Sequence, residues 1–173
     1  DRPLSRGLGD VYKRQVIGSS GAIGSAFVNH YINDLSVNSI FSFSRSSIGV
    51  DNNKVKHFSI DIENESSVQD AAKSVEEINF DEIIIASGLL HTNEFGPEKS
   101  IKDLKADNIL KILNVNTVGP AIIGKHFLPL LNKNNKSVMA FLSARVGSIS
   151  ENKLGGWYAV SYTHLRAHET MVD

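Results

Sequence analysis

Residues 16–27, VIGSSGAIGSAF, carry the strongest chemical signal in the chain. Gly18, Gly21 and Gly24 recur at every third position. An apolar pair, Val16-Ile17, precedes them, and Ile23, Ala26, Phe27, Tyr31 and Ile32 follow at helical spacing. A glycine turn between a strand and a helix lets backbone approach a ligand without intruding side chains. The helix N-terminus adds free N–H groups and a partial positive charge. That combination suits a pyrophosphate: Gly18 for the tight turn, Ser20, Gly21 and Ile23 for close approach, and Gly24 for packing of the helix on the sheet. An ordinary glycine-rich strand-to-helix turn is the alternative.

The next strand candidate ends at Ser42-Phe43-Ser44-Arg45, about twenty residues on, where an Asp or Glu would bond both ribose hydroxyls of NAD. Ser44 stands there instead, followed by Arg45. A guanidinium can hold a 2′-phosphate through charge-assisted, often bidentate hydrogen bonds. This predicts NADP (NADPH) as the cofactor, with NAD the weaker candidate. A solvated surface arginine is the other reading.

These groups need elements to position them, and strand and helix signals alternate along the chain. Residues 39–44 (SIFSFS), 57–61, 83–86 and 137–143 read as strands after Val16-Ile17. The run Ile83-Ile84-Ile85-Ala86 has the character of a strand buried on both faces. Helical periodicity marks Val68, Ala71, Ala72 and Val75, then a long helix from about Ala106 to Leu131, bent at Gly119-Pro120. The expected fold is α/β, a Rossmann-type doubly wound parallel sheet of about five strands.

Composition narrows the class further. Eighteen Lys+Arg balance nineteen Asp+Glu, for a net charge of -1, so no general affinity for nucleic acid or an anionic membrane is expected. No apolar run reaches the roughly 18 residues of a membrane span. The 41% hydrophobic content is globular rather than disordered. The absence of cysteine excludes a disulfide framework and a Cys nucleophile and fits a reducing, cytoplasmic setting. The ends differ from the middle. All fifteen Asn lie between Asn29 and Asn152, whereas four of the six Arg (Arg2, Arg6, Arg14, Arg166) lie near the termini. Residues 1–15 and 160–173 lack a sustained strand or helix period and resemble translated sequencing-adaptor sequence. They are expected to be foreign, disordered tails around a partial cofactor-binding domain, residues 16–159.

In residues 16–159 the chain resembles the short-chain dehydrogenase/reductase family, and within it the C-factor-like subgroup. Four motifs occur in family order. The family's TGxxxGxG loop aligns with Ile17 to Gly24, with Ile17 and Ala22 replacing its Thr and middle Gly. The resulting GxxGxxG spacing is also that of the longer, epimerase-like branch. Asp61-Ile62 resembles the pair that contacts adenine. Ala86-Ser87-Gly88 stands at the Asn-Ala-Gly position beside the cofactor, without its Asn. Asn116-Thr-Val-Gly119 matches NxxG, whose Asn implies support of the bent helix and of a proton-relay water. Locally, Asp61 could simply cap a strand end, and Asn116 could be a buried, bonded helix residue.

The resemblance implies hydride transfer between a nicotinamide cofactor and a small carbonyl or alcohol substrate. It also implies a homo-oligomer formed through the long central helices. The catalytic serine is expected at Ser143, with Ser148 as the alternative. The family then presents a Tyr and, one helical turn on, a Lys that lowers its pKa. Here Gly155-Gly156-Trp157-Tyr158-Ala159 is followed by Val160 at the Tyr position and by His164 at the Lys position. Tyr162 and Arg166 share the spacing but not the register. The expectation is therefore an NADP-dependent oxidoreductase whose chain, as it stands, lacks its catalytic pair and the C-terminal part of the fold. A non-catalytic NADP-binding regulator and an epimerase-like member are the alternatives. The cluster Lys13-Arg14-Gln15, at the start of a central strand, is expected to be costly if buried unpaired.

Overall fold

The computed structural model describes residues 12–147 and 156–169, without the side chains of residues 162 and 165–169. Five parallel strands form one sheet: β1 (Tyr12–Ile17), β2 (Val37–Ser44), β3 (Val55–Ser59), β4 (Glu82–Ile85) and β5 (Val138–Phe141), in the order β3-β2-β1-β4-β5. The helices are α1 (Ala22–Asn33), α2 (Glu65–Lys73), α3 (Ala106–Leu113), α4 (Gly119–Phe127) and α5 (Tyr158–Glu169). This is the expected doubly wound Rossmann-type sheet. The order reverses between β1 and β4, which opens a crevice at the carboxyl ends of the strands.

Alternation along the strands sends neighbouring side chains to opposite layers. Ile17, Phe41, Phe43, Ile83 and Ile85 meet α2 and α4 through Val68, Ala71, Ile123 and Phe127. Val16, Val37 and Ile40 meet α1 through Val28 and Tyr31. Phe43 is fully buried, stacked on Phe58 and edge-on to Phe127. Both strand faces are therefore covered, and Ile83-Ile84-Ile85 reads as a continuous apolar run for that reason.

The ordered fold crosses both expected domain boundaries. β1 starts at Tyr12, so Lys13, Arg14 and Gln15 belong to the central strand and not to a tail. The cluster is tolerated because most of it is partnered. Arg14 forms an ion pair with Glu82 on β4 and lies over the rings of Tyr12 and Tyr31. Tyr31 donates its hydroxyl to the same carboxylate at 3.0 Å, and Lys13, itself only half-buried, donates its backbone N–H to Asp81 at 2.8 Å. Burial, reinforced by Glu82, pushes the Tyr31 phenol well above its ordinary pKa, which keeps it a donor. Gln15 is the main exception: it is fully buried, and its amide, like Arg14 Nε, has no hydrogen-bond partner among the described residues. At the other end, α5 continues through residues 160–169 because Ala159 and Val160 bury against Ile112.

The long central helix is also more finely divided than its periodicity indicates. Between α3 and α4, Asn114–Val118 form a π-turn, with the Gly119 N–H bonded to the Asn114 carbonyl. Pro120 cannot donate to the carbonyl four residues back and would crowd it, and widening the preceding turn relieves that conflict. The bend expected at Gly119-Pro120 thus starts one turn earlier and includes Asn116.

Phe43→Ala should destabilise the chain by about 3–5 kcal/mol, the usual range for an emptied buried Phe site. Urea unfolding should show a lower midpoint with an unchanged slope.

Candidate functional site

A cleft of about 340 Å³ opens at the carboxyl ends of β1 to β4. Its walls include Gly18, Ser20, Gly21, Ser44, Arg45, Asp61, Ile62, Ala86 and Gly88. Nine residues singled out for cofactor binding from four separate stretches thus converge on one cavity. Ser87, Leu89, Thr92, Glu63, Lys111 and Val115 line it too. Nothing in the motifs pointed to Lys111 or Glu63, whose positions follow from helix phase and loop path.

Backbone packing shapes the floor. Gly18 has φ +85, and a Cβ there would lie 2.6 Å from the Ser87 nitrogen and 2.8 Å from the Ala86 carbonyl carbon. A Cβ on Gly24 would lie 2.2 Å from the Gly18 carbonyl oxygen. The ends of β1 and β4 and the first turns of α1 therefore touch through main chain alone. Gly24 serves this contact and does not line the cleft. Ile23, on the first turn of α1, is largely exposed and is also outside the lining.

A serine network ties the same turn to β2. Gly18 and Ser19 N–H groups donate to the Phe43 carbonyl at 2.8 and 3.2 Å. Ser42 Oγ donates to Ser19 Oγ at 2.8 Å, and Ser44 Oγ donates to the Ser46 carbonyl at 2.7 Å. Ser19, Ser42 and Ser44 are all buried. Ser44 thus lines the cleft while its hydroxyl hydrogen secures the loop that carries Arg45. The Arg45 side chain is exposed at the mouth.

The local chemistry fits a phosphate-bearing cofactor. α1 starts at Gly21 with no side-chain cap and no acid in its first turn. α2, by contrast, is capped by Asn64 and carries Glu65 in its first turn. Uncapped N–H groups at the cleft are available to an anion. Ser87 Oγ, beside the Gly18 cradle, is buried with no hydrogen-bond partner among the described residues.

Asp61 sits at the end of the β3 path, where its Oδ1 accepts from the Glu63 N–H at 3.1 Å. Asn116 lies outside the cleft lining but adjoins it. Its Nδ2 donates to the Leu89 carbonyl at 2.8 Å, and its Oδ1 accepts from the Leu89 N–H at 2.7 Å. This paired bond fixes the strand of backbone just after Gly88. Ser143 is separate from the cleft: it is exposed, and its Oγ shares a hydrogen bond of 3.1 Å with His164 Nδ1 on α5. Ser148 lies outside the described residues, as do the side chains of Tyr162 and Arg166. Val160, at the expected Tyr position, is buried against α3.

No protein-family model matches the chain. It is 30% identical over 115 residues to 1-hydroxy-2-glutathionyl-2-methyl-3-butene dehydrogenase of Rhodococcus sp. (strain AD45). That match covers 65% of this chain and 46% of the relative, so the chain spans about half the length of the curated relative it matches. A short chain dehydrogenase family protein from Francisella tularensis subsp. tularensis SCHU S4 superposes with a TM-score of 0.75 at 17% identity, over 92% of this chain and 61% of that one. An NADPH-bound carbonyl reductase from chicken fatty liver superposes with a TM-score of 0.77 at 22% identity, over 93% and 68%. The fold of the chain is thus the one found in short-chain dehydrogenase/reductase proteins. Its structural neighbours include carbonyl reductases, at least one of them with a nicotinamide cofactor bound.

Gly24→Ala should disrupt the turn, because the new methyl meets an immovable carbonyl. A loss of about 1–3 kcal/mol is expected from such overpacking, and it should appear in denaturant melts. Gly21→Ala, whose Cβ would lie 3.4 Å from the same oxygen, should be close to neutral in that assay.

Proposed function

We propose that the chain is a member of the short-chain dehydrogenase/reductase family, of C-factor-like type, comprising the NADP-binding part of an oxidoreductase acting on a small carbonyl or alcohol. The observation that supports this best is the convergence of Gly18, Gly21, Arg45, Asp61 and Gly88 on one cleft at the strand-order reversal. The uncapped start of α1 would receive the pyrophosphate, Asp61-Ile62 the adenine, and Arg45 the 2′-phosphate. The bound nicotinamide would supply hydride chemistry. Asn116 would hold the backbone beside it through Leu89, and Ser143 would orient the substrate carbonyl. The assembled protein would be a cytoplasmic homo-oligomer joined through its central helices. Residues 1–11 and 170–173 would be foreign to it, as would the sequence of the segments 12–15 and 160–169 that join the fold.

The chain as it stands would bind cofactor without turning it over. Val160 and His164 occupy the expected Tyr and Lys positions. Val160 has no proton to exchange, and a Ser143–His164 hydrogen bond engages the group meant for the substrate. These features keep a non-catalytic NADP-binding role as the second reading. They belong to α5, whereas the SARVGS run from Ser143 supports an enzymatic origin.

Two outcomes are expected. Arg45→Ala should weaken NADPH binding about tenfold or more, the scale of a charge-assisted bond, and leave NADH within about twofold, both by fluorescence titration. Equal losses would remove Arg45 from 2′-phosphate recognition. The purified chain should oxidise no NADPH in the presence of reactive carbonyls, and turnover abolished by Ser143→Ala would show that catalysis survives.

A further inference from the structure

The cleft holds two carboxylates, Asp61 and Glu63, although the proposed ligand is an anion. Two side chains from the opposite wall are bonded to one of them. Lys111 Nζ forms an ion pair with Glu63 Oε2, and Asn114 Nδ2 donates to the same oxygen at 3.1 Å. Glu63 stands on the loop between β3 and α2, while Lys111 and Asn114 are three residues apart on one face of the α3 helix and the turn after it. The two walls meet nearby, where the Gly119 backbone packs on Ile62. The Lys111 hydrogen bond holds the Glu63 carboxyl below the usual carboxylate range, with Asn114 and Arg45 acting in the same direction. Arg45 lines the same cleft as Glu63, so a phosphate held by Arg45 would share that cleft with the carboxylate.

We infer that Lys111 masks Glu63, so that the mouth of the cleft accepts the 2′-phosphate of NADP against Arg45; the inference rests on the NADP reading above. Without Lys111, an uncompensated carboxylate would share the cleft with the phosphate and would compete with it for Arg45. Both effects oppose a 2′-phosphate and leave a cofactor with a plain ribose nearly untouched. Lys111 is thus a specificity-determining residue that acts through Glu63, and Asn114 supports it. The side chains are partly exposed, with 46% accessibility for Lys111 and 21% for Glu63, so the effect should be moderate and should shrink in high salt.

The test is a binding cycle on the purified chain, with dissociation constants for NADPH and NADH from nicotinamide fluorescence at low salt. Lys111→Met should weaken NADPH about fivefold to tenfold more than NADH, as expected for like charges sharing a partly screened cleft. Lys111→Arg should keep the native selectivity. The double variant Lys111→Met/Glu63→Gln should restore NADPH to within about twofold of the unmodified chain. Thermal unfolding of each ligand-free variant separates folding defects from charge effects. Equal losses for both cofactors in Lys111→Met, or no recovery in the double variant, would overturn the inference and reduce Lys111 to a wall residue. Failure of the NADP reading looks different: the unmodified chain would prefer NADH, or bind neither cofactor, whatever stands at position 111.

Discussion

The rest of the site depends on one close approach of backbone to backbone. Gly18 lies directly on the peptide joining Ala86 to Ser87, and Gly24 lies directly on the carbonyl of Gly18. No side chain fits in either contact. Because of this stacking, the end of β4 sits beside the start of α1, and the uncapped N–H groups of α1 open into the space between them. The Phe43 carbonyl adds β2 to the same junction by accepting from Gly18 and Ser19. Three strand ends and one helix start are thereby held within a few ångströms through main-chain atoms, whose positions do not vary with side-chain rotamers. A cleft built this way is pre-organised for a ligand recognised by charge and shape along a backbone.

A second constraint lies at the opposite end of β1. A central strand carrying Lys, Arg and Gln would ordinarily conflict with burial on both faces. The conflict is limited because Glu82 on β4 and the Tyr31 ring on α1 engage the Arg14 guanidinium, while Lys13 is only half-buried and its backbone N–H donates to Asp81. These partners stand within the amino-terminal half of each strand pairing, so the network stays far from the cleft at the carboxyl ends. Gln15 shows the remaining cost, a buried amide with no partner among the described residues. The polar start of β1 therefore loads stability without entering the site.

Legibility in the sequence followed the range of the interactions. The five strands and the glycine turn were readable because apolar runs and GxxGxxG spacing are local patterns. Arg45 is readable because it directly follows β2, whereas Asp61, two residues beyond β3, and Gly88, three beyond β4, are readable through the family resemblance; loops after strand ends in a doubly wound sheet share one rim. What escaped was set by partners distant in sequence. Lys13-Arg14-Gln15 reads as costly to bury because Glu82, the partner of Arg14, stands 68 residues beyond it. The extension of α5 through residue 169 is not legible because, among the described residues, its buried positions combine the apolar Ala159 and Val160 with the polar Ser161 and Thr163 and so show no apolar period. The π-turn at Asn116 arises from Pro120 four residues later, and the position of Lys111 in the cleft depends on the phase that α3 brings into that turn.

The groups proposed to hold a cofactor and those proposed to handle a proton fall on different parts of the chain. The groups for the first lie on the loops after β1, β2, β3 and β4, and backbone contacts among those loops complete the cleft. The proposed groups for the second lie after β5, where Ser143 and His164 join a loop to α5 and meet no part of the cleft lining. Asn116 links the two regions only indirectly, through the Leu89 backbone. A change of sequence in α5 would leave the backbone contacts of the strand-end loops in place, because those join Gly18, Gly24, Ala86 and Ser87, although Ala159 and Val160 belong to the apolar cluster against which the cleft-lining Leu89 packs.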